Sequence, residues 1–332
     1  MIAFEAHPAR VPDQLYGLID DQFNEAHERW QNATFDQVLP NKPALMPVYA
    51  GDERVLISRL APLKEHDGTT VALAFPFLQG LNKTMMLRAA FMQQSVMPNS
   101  EVLLLPNVHT GKDTTYTFSA NDRKRLSEGS LAPLAEKYIR VFETLSIGSL
   151  AVTGYSQGGR VAVDIAAVGS SNVEITHVNA DEVPSAVERG TGQLQRDFMK
   201  SGALKLQRKS MAEAGFGTLL EHEAGIRLPL LDYSMFGIRS LNKISKLIHA
   251  GMTDETVNHI ARALYKIKSA RPDTRVKFGA VEGSLLTDLD RLRSQSNHNV
   301  RTVMYTGEAA NMHTTGDNYA AHALMVKHGL QA

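Results

Sequence analysis

The sequence contains no cysteine, and this absence excludes several kinds of chemistry. Disulfide bridges, thiolate zinc sites and a cysteine nucleophile all require that residue. The chain also lacks an excess of either charge, because it has 35 basic and 35 acidic residues. A net charge of zero removes the general electrostatic attraction to phosphates, so we predict no nucleic-acid partner.

Long apolar runs are absent as well. No apolar stretch approaches the length needed to span a bilayer, and the N-terminal residues have neither the basic start nor the apolar run of a secretory signal. We therefore expect a cytoplasmic protein. Residues 238–248 combine lysines and an arginine with apolar residues, and we expect this helix to pack inward and not to contact a membrane.

Metal-ligand spacing is also lacking, although the chain has 12 histidines. None of them falls in a pattern such as HExxH, and Glu221-His222-Glu223 is interpreted as a polar cluster between helix breaks. We predict no metal site and no other cofactor.

The chain has 332 residues, of which 43% are hydrophobic and 21% charged, as in folded globular proteins. Short apolar segments such as 69–77, 101–107 and 173–180 alternate with helical patterns. Strands that lack polar alternation are typical of a parallel sheet covered on both faces. The predicted fold is therefore α/β, with a doubly wound, mostly parallel sheet.

The patterns divide the chain into three parts. Residues 1–42 include an amphipathic helical pattern and are predicted to form an N-terminal helical arm. The α/β pattern occupies residues 43–183 and resumes at 272–332. Between them, residues 184–271 contain helical patterns without strand signals, which predicts a helical cap inserted into the α/β core.

One motif joins a strand pattern directly to a helix pattern: Gly154-Tyr155-Ser156-Gln157-Gly158. GxSxG alone is weak evidence, but a sharp turn from strand to helix holds a nucleophilic serine above a sheet edge. Glycines on both sides let the strand and the helix approach closely. The alternative is a glycine-rich turn, used for a phosphate, in which Ser156 merely caps the helix.

With this motif in this context, the chain resembles the α/β-hydrolase family from about residue 43 onward. The helical insertion falls where that family usually carries its cap. The resemblance implies a mostly parallel sheet with a helical lid and a nucleophile at Ser156. It also implies a histidine base and a carboxylate later in the chain.

A serine hydroxyl needs a base to become a nucleophile. In the order of the family the base follows the last strand, and His313 lies in the segment after the strand pattern 300–307. His322 and His328 fall within or at the end of the terminal helix, and His298 precedes the strand. His313 is therefore the predicted base.

The carboxylate that orients the imidazole is expected near the end of the preceding strand. Counting from Gly279, as the resemblance suggests, gives Glu282. Asp181 is the second candidate, because some relatives take the acid one strand earlier. Asp288 is the third, although it follows Thr287 and fits equally well in the first turn of a helix.

The oxyanion of a tetrahedral intermediate needs two backbone donors. The N–H of Gln157, after the nucleophile, is the first candidate. The second candidate is Phe77, in a segment where relatives often carry His-Gly and this chain has Phe75-Pro76. Proline has no N–H, so ordinary loop packing is the alternative for this segment.

These residues predict a serine hydrolase that cleaves a carboxylic ester of a small molecule with a moderately apolar acyl group. Two alternatives use the same fold. One is a different triad reaction, as in thioesterases, peptidases, lyases and peroxidases. The other is a protein without catalysis, used for binding or assembly.

Overall fold

The structure is a computed structural model. It describes residues 2–3, 45–74, 93–105, 118–181, 183, 255–281, 300–305, 323 and 326–327. The predicted N-terminal helix and most of the predicted cap lie outside these residues.

Nine strands of the described residues form one sheet, with the spatial order β1-β9-β8-β7-β6-β4-β5-β3-β2. The six strands from β9 to β5 run parallel to their neighbours, whereas β1, β2 and β3 pair antiparallel at the two sides. In chain order the strands are β1 (Ile2–Ala3), β2 (Leu45–Ala50), β3 (Glu53–Leu60), β4 (Thr69–Ala74), β5 (Glu101–Leu105), β6 (Ser149–Tyr155), β7 (Glu174–Asp181), β8 (Arg275–Val281) and β9 (Val300–Tyr305).

The central strands are buried, as their apolar composition predicts. All five residues of β5 are buried, and so are all residues of β4 after Thr69. Strands buried on both faces need no polar alternation, which explains their sequence pattern. At one of the two antiparallel sides, β2 and β3 form a hairpin, and its turn residue Gly51 has φ 64°. The predicted α/β fold class with a mostly parallel sheet is confirmed.

Four helices have defined bounds: α1 (Ala120–Ser127), α2 (Ala132–Thr144), α3 (Gln157–Val168) and α4 (Glu255–Ala270). Helix α3 packs on β6 and β7 and contacts both α2 and α4. Helix α4 lies in the 184–271 segment, and its buried residues Ile260, Leu264 and Ile267 belong to the same core as α3. The division of the chain into three parts stays a prediction. Among the described helices, none is long and apolar enough to cross a membrane.

Helix α1 begins with a capping box. The Ser119 hydroxyl accepts from the Asp122 N–H at 3.0 Å, and the Asp122 carboxylate accepts from the Ser119 N–H at 3.0 Å. Partial burial raises the pKa of Asp122, but the hydrogen bonds from Ser119 and the positive charges of Lys137 and Arg125 lower it by a larger amount. The pKa of Asp122 therefore lies below its usual value. This pair satisfies backbone donors that the first helical turn leaves open.

Helix α2 ends in a Schellman motif with a serine at the position that glycine usually occupies. Ser146 has φ 55°, the Ser146 N–H donates to the Glu143 carbonyl at 3.0 Å, and the Ile147 N–H donates to the Phe142 carbonyl at 3.0 Å. Ser146 is exposed, so its side chain contributes little packing. The left-handed backbone makes the two hydrogen bonds possible, but the Cβ of Ser146 leaves that conformation strained.

We expect Ser146→Gly to raise the free energy of unfolding by about 0.5–1 kcal/mol, because glycine adopts φ > 0 without a steric cost. Urea unfolding measures the change. The control is Ser127→Gly in the last turn of α1, where φ is not positive and glycine should lower stability by up to about 1 kcal/mol. Equal effects of the two substitutions would contradict the proposed strain at Ser146.

Candidate active site

Ser156 lies between β6, the middle strand of the nine described, and α3. Strand β6 ends at Tyr155 and α3 begins at Gln157, so only Ser156 separates them. The parallel strands around β6 end at the same edge of the sheet. The chain therefore presents Ser156 at the carboxyl edge of the sheet, where ligands bind in open α/β folds.

The backbone of Ser156 is strained. Its φ and ψ are 55° and −131°, a region that residues with a Cβ rarely adopt. Ser156 and Ser146 are the two non-glycine residues with positive φ among those described. The half-buried Ser156 side chain makes no capping hydrogen bond to α3, which counts against the interpretation of this residue as a helix cap.

Two glycines allow this turn. A Cβ on Gly154 would meet the carbonyl carbon and oxygen of Gly158 at 2.5 Å and the Ala74 carbonyl oxygen at 2.8 Å. A Cβ on Gly159 would meet Val183 Cγ2 at 2.8 Å. Helix α3 thus begins in backbone contact with β6, and only residues without a Cβ permit that approach.

The end of β7 anchors the turn from the other side. The Ser156 N–H donates to the main-chain carbonyl of Asp181 at 2.7 Å. The Asp181 side chain is fully buried, and one of its oxygens, Oδ2, accepts from Asn179 Nδ2 at 2.8 Å. Asn179 Nδ2 also lies 3.3 Å from Thr153 Oγ1 on β6. Of the three predicted carboxylates, Asp181 is the one that lies within the described residues, and its main chain contacts Ser156.

Helix α3 is held in place by two charged residues, the buried Arg160 and the half-buried Asp164. The guanidinium of Arg160 donates to the Gly129 carbonyl, and Asp164 Oδ2 accepts from the Leu131 N–H at 3.1 Å. Burial lowers the pKa of Arg160 and raises the pKa of Asp164, while the opposite charge of each partner counteracts both shifts. These contacts fix the helix whose first residue, Gln157, is the predicted oxyanion donor.

The N-terminal end of α3 carries partial positive charge from its backbone N–H groups. The Gln157 N–H belongs to this end and directly follows Ser156. An anion that forms above the turn would be stabilised there. The other predicted site residues, Glu282, Asp288, His313 and Phe77, lie outside the described residues. In the part of the chain that the structure describes, no three histidine, aspartate or glutamate side chains form a metal-binding group.

Comparison with known proteins identifies the fold. The chain matches an α/β hydrolase from a Medee basin deep-sea metagenome library with a TM-score of 0.53 and 15% identity, over 85% of this chain and 97% of that one. The thioesterase domain of the curacin biosynthetic pathway matches with a TM-score of 0.51 and 12% identity, over 88% of this chain and 100% of the domain. The chain has the α/β-hydrolase fold.

A proline iminopeptidase from Mycobacterium smegmatis shares this α/β-hydrolase fold, with a TM-score of 0.50 and 12% identity over 87% of this chain and 99% of the other. No protein-family model matches the sequence, and neither does any curated protein. Identities this low establish the architecture. The fold resemblance predicted from the Ser156 motif is therefore confirmed.

Thr153 and Asn179 were not among the predicted site residues. Both are fully buried polar residues on strands that have neighbouring strands on both sides. A polar residue within a predicted buried strand is the signal that could have indicated them, because buried polar groups require partners. Their pairing depends on the register between β6 and β7, which local patterns do not reveal.

Proposed function

We propose that this protein is a serine hydrolase that cleaves carboxylic esters through an acyl-enzyme on Ser156. The observation that carries the proposal is the strained backbone of Ser156 between the middle strand and α3. Such strain costs about 1–3 kcal/mol and is retained mainly at functional sites. The α/β-hydrolase fold provides the scaffold on which a hydrolase site of this kind is built.

The topology supports His313 as the base. Strand β9 runs parallel to β8 and belongs to the same parallel set as β6, so its chain also emerges at the carboxyl edge. Three strand spacings separate β9 from β6, a lateral distance of about 14 Å. The chain from Tyr305 to His313 spans eight residue-to-residue steps and can extend about 26 Å. The chain is therefore long enough to bring the imidazole to Ser156.

The same argument supports Glu282 as the acid. Strand β8 ends at Val281, so Glu282 is the first residue beyond it, at the edge that β8 shares with β9. Asp181 remains the alternative acid, but its carboxylate already accepts from Asn179 and its main chain already anchors Ser156. We assign the orientation of His313 to Glu282.

In the proposed reaction, Ser156 Oγ attacks the ester carbonyl carbon while His313 takes the hydroxyl proton. The N–H groups of Gln157 and Phe77 donate to the oxyanion. The bond to the leaving oxygen breaks as His313 returns the proton to it. Water then attacks the acyl carbonyl carbon and gives a proton to His313, which passes it to Ser156 Oγ as the acyl–serine bond breaks and the acid leaves. The proposed specificity is for a moderately apolar acyl group.

An alkyl fluorophosphonate tests nucleophile and base together. We expect one covalent adduct, located at Ser156 by peptide mass spectrometry, because an activated serine displaces the fluoride. His313→Ala should slow labelling by about 10²–10⁴-fold. The control is His298→Ala, because His298 precedes β9 in the chain whereas His313 follows it. The labelling rate of this variant should equal that of wild type.

Absence of an adduct at Ser156 would contradict the proposal and favour a protein without catalysis. Equal labelling of wild type and His313→Ala would contradict the assignment of the base. The proteins that share the fold include a thioesterase domain and a proline iminopeptidase. Comparing an ester, a thioester and an aminoacyl amide as substrates therefore distinguishes which bond this protein cleaves.

A further inference from the structure

Three polar side chains occupy fully buried positions beside the Ser156 turn: Thr153, Asn179 and Asp181. They lie on β6 and β7, which have neighbouring strands on both sides. Strands in this position are normally apolar, since each buried polar group must recover the hydrogen bonds that it loses on leaving water. A polar group at this place therefore calls for an explanation beyond packing.

The register explains how the three side chains meet. Thr153 pairs with Asn179, and Tyr155 pairs with Asp181. Asn179 and Asp181 are two positions apart on one strand, so they share a face of the sheet. The Asn179 amide donates to Asp181 Oδ2 at 2.8 Å and to Thr153 Oγ1 at 3.3 Å. Because a carboxylate accepts and does not donate, the amide must present its NH₂ group to Asp181.

Asp181 connects this network to the nucleophile. Its side chain is held by Asn179, and its main-chain carbonyl accepts from the Ser156 N–H at 2.7 Å. Thr153, at the other end of the network, lies on β6, shortly before Ser156 in the chain. The hydrogen bonds therefore form a closed path that ties β6 to β7 immediately before the turn.

The network has a cost in stability. Among the described residues, Asn179 Oδ1 has no hydrogen-bond partner, although the side chain is fully buried. Leaving a buried acceptor unsatisfied is unfavourable, whereas apolar residues at both positions of a buried polar pair are often neutral or stabilising. Stability alone would therefore favour apolar residues at all three positions, whereas replacing Asn179 by itself removes a donor from Asp181 Oδ2 and lowers stability.

We propose that Asn179 is a positioning residue that keeps the Ser156 backbone in its strained conformation by fixing Asp181. A residue with positive φ and a Cβ persists only where its surroundings overdetermine it. The anchored carbonyl of Asp181 supplies that constraint from β7. The consequence for catalysis rests on the proposed function, but the constraint on the backbone does not.

A double-mutant cycle tests the constraint. The four proteins are wild type, Asn179→Ala, Ser156→Gly and the double variant, and urea unfolding measures their equilibrium constants. In the wild-type background, Asn179→Ala lets the strained turn relax, and this relaxation offsets part of the stability lost with the Asn179 hydrogen bonds. In the Ser156→Gly background there is no strain to release. Asn179→Ala should therefore raise the unfolding equilibrium constant by a factor that is about threefold or more larger in the Ser156→Gly background than in wild type. Equal effects in the two backgrounds would overturn the proposal.

Two Thr→Val substitutions serve as a matched pair and keep the test available if Asn179→Ala does not fold. Thr153→Val removes the second acceptor of Asn179 and should couple to Ser156→Gly in the same direction. Thr70 lies near the amino end of β4, and its hydroxyl donates to Glu101 Oε2 at 3.4 Å. The effect of Thr70→Val on the free energy of unfolding should be additive with that of Ser156→Gly. Additive behaviour of Thr153→Val would count against the network.

Fluorophosphonate labelling provides the catalytic readout. Asn179→Ala should lower the labelling rate constant by about tenfold or more, with little change in the concentration that half-saturates the rate, because a displaced nucleophile loses reactivity and not binding. An unchanged rate constant would overturn the positioning role. If wild type itself is not labelled, the proposed function fails, while the unfolding cycle still tests the constraint on Ser156.

Discussion

Ser156→Gly is expected to give a protein that is more stable than wild type and inactive as a hydrolase. Glycine adopts φ 55° and ψ −131° without a steric cost, so the substitution releases strain of about 1–3 kcal/mol. A glycine also makes the unfolded chain more flexible, which opposes the gain by about 0.5–1 kcal/mol. The free energy of unfolding should therefore rise by about 0.5–2 kcal/mol, as measured in urea.

Ser156→Ala separates the backbone effect from the loss of the hydroxyl. Alanine keeps the Cβ, hence the strain, and its stability should lie within about 0.5 kcal/mol of wild type. Both variants lose the proposed nucleophile, so the kcat for a chromogenic short-chain ester should fall by about 10⁴–10⁶-fold in each. Hydrolysis that persists in Ser156→Ala would refute the proposed chemistry. Equal stabilities of the glycine and alanine variants would refute the strain.

This comparison distinguishes two kinds of strained serine in one chain. Ser146 is exposed at the end of α2, where its strained backbone forms the two hydrogen bonds that end the helix. Ser156 is half-buried, tied to Asp181 and followed directly by α3. Replacing Ser146 by glycine should gain stability without loss of activity, whereas the same gain at Ser156 removes function. Such a trade-off is typical of active sites.

The central sheet could be predicted from the sequence because several of its strands, such as β4 and β5, are short and mainly apolar runs. Residues 101–105 and 149–155, for example, form β5 and β6 where the sequence analysis expects strands. Helix α1 was not predicted, since most of its residues are polar and no apolar period marks it. Its signal is the capping box of Ser119 and Asp122, which is short and easily overlooked.

The site was predictable to the extent that it is local. The Ser156 turn depends on adjacent residues and on two glycines, all visible in one short motif. The partnership of Ser156 with Asp181 depends instead on how β6 aligns with β7, including a register shift between Leu150 and Ala151. Side-chain patterns specify which face of a strand is buried but not which residues of two strands meet. Asn179 was missed for that reason.

Gly154→Ala is expected to destabilise the protein by about 3 kcal/mol or more. The new Cβ would lie 2.5 Å from the Gly158 main chain and 2.8 Å from the Ala74 carbonyl oxygen. Neither obstacle is a side chain that can rotate away, so α3 or β4 must move, and overpacking of this kind costs about 1–3 kcal/mol even where side chains can adjust. Urea unfolding measures the loss.

Two other glycines complete a graded series. Gly159→Ala should have an intermediate effect, because its nearest obstacle at 2.8 Å is a methyl group of Val183, while the Gly154 carbonyl lies at 3.1 Å. Gly148→Ala should change stability by less than about 0.5 kcal/mol, since nothing lies within 4 Å of its Cβ. A different order would show that the close approach of α3 to β6 does not depend on Gly154. Because that approach also sets the position of Ser156, fluorophosphonate labelling should decline in the same order as stability.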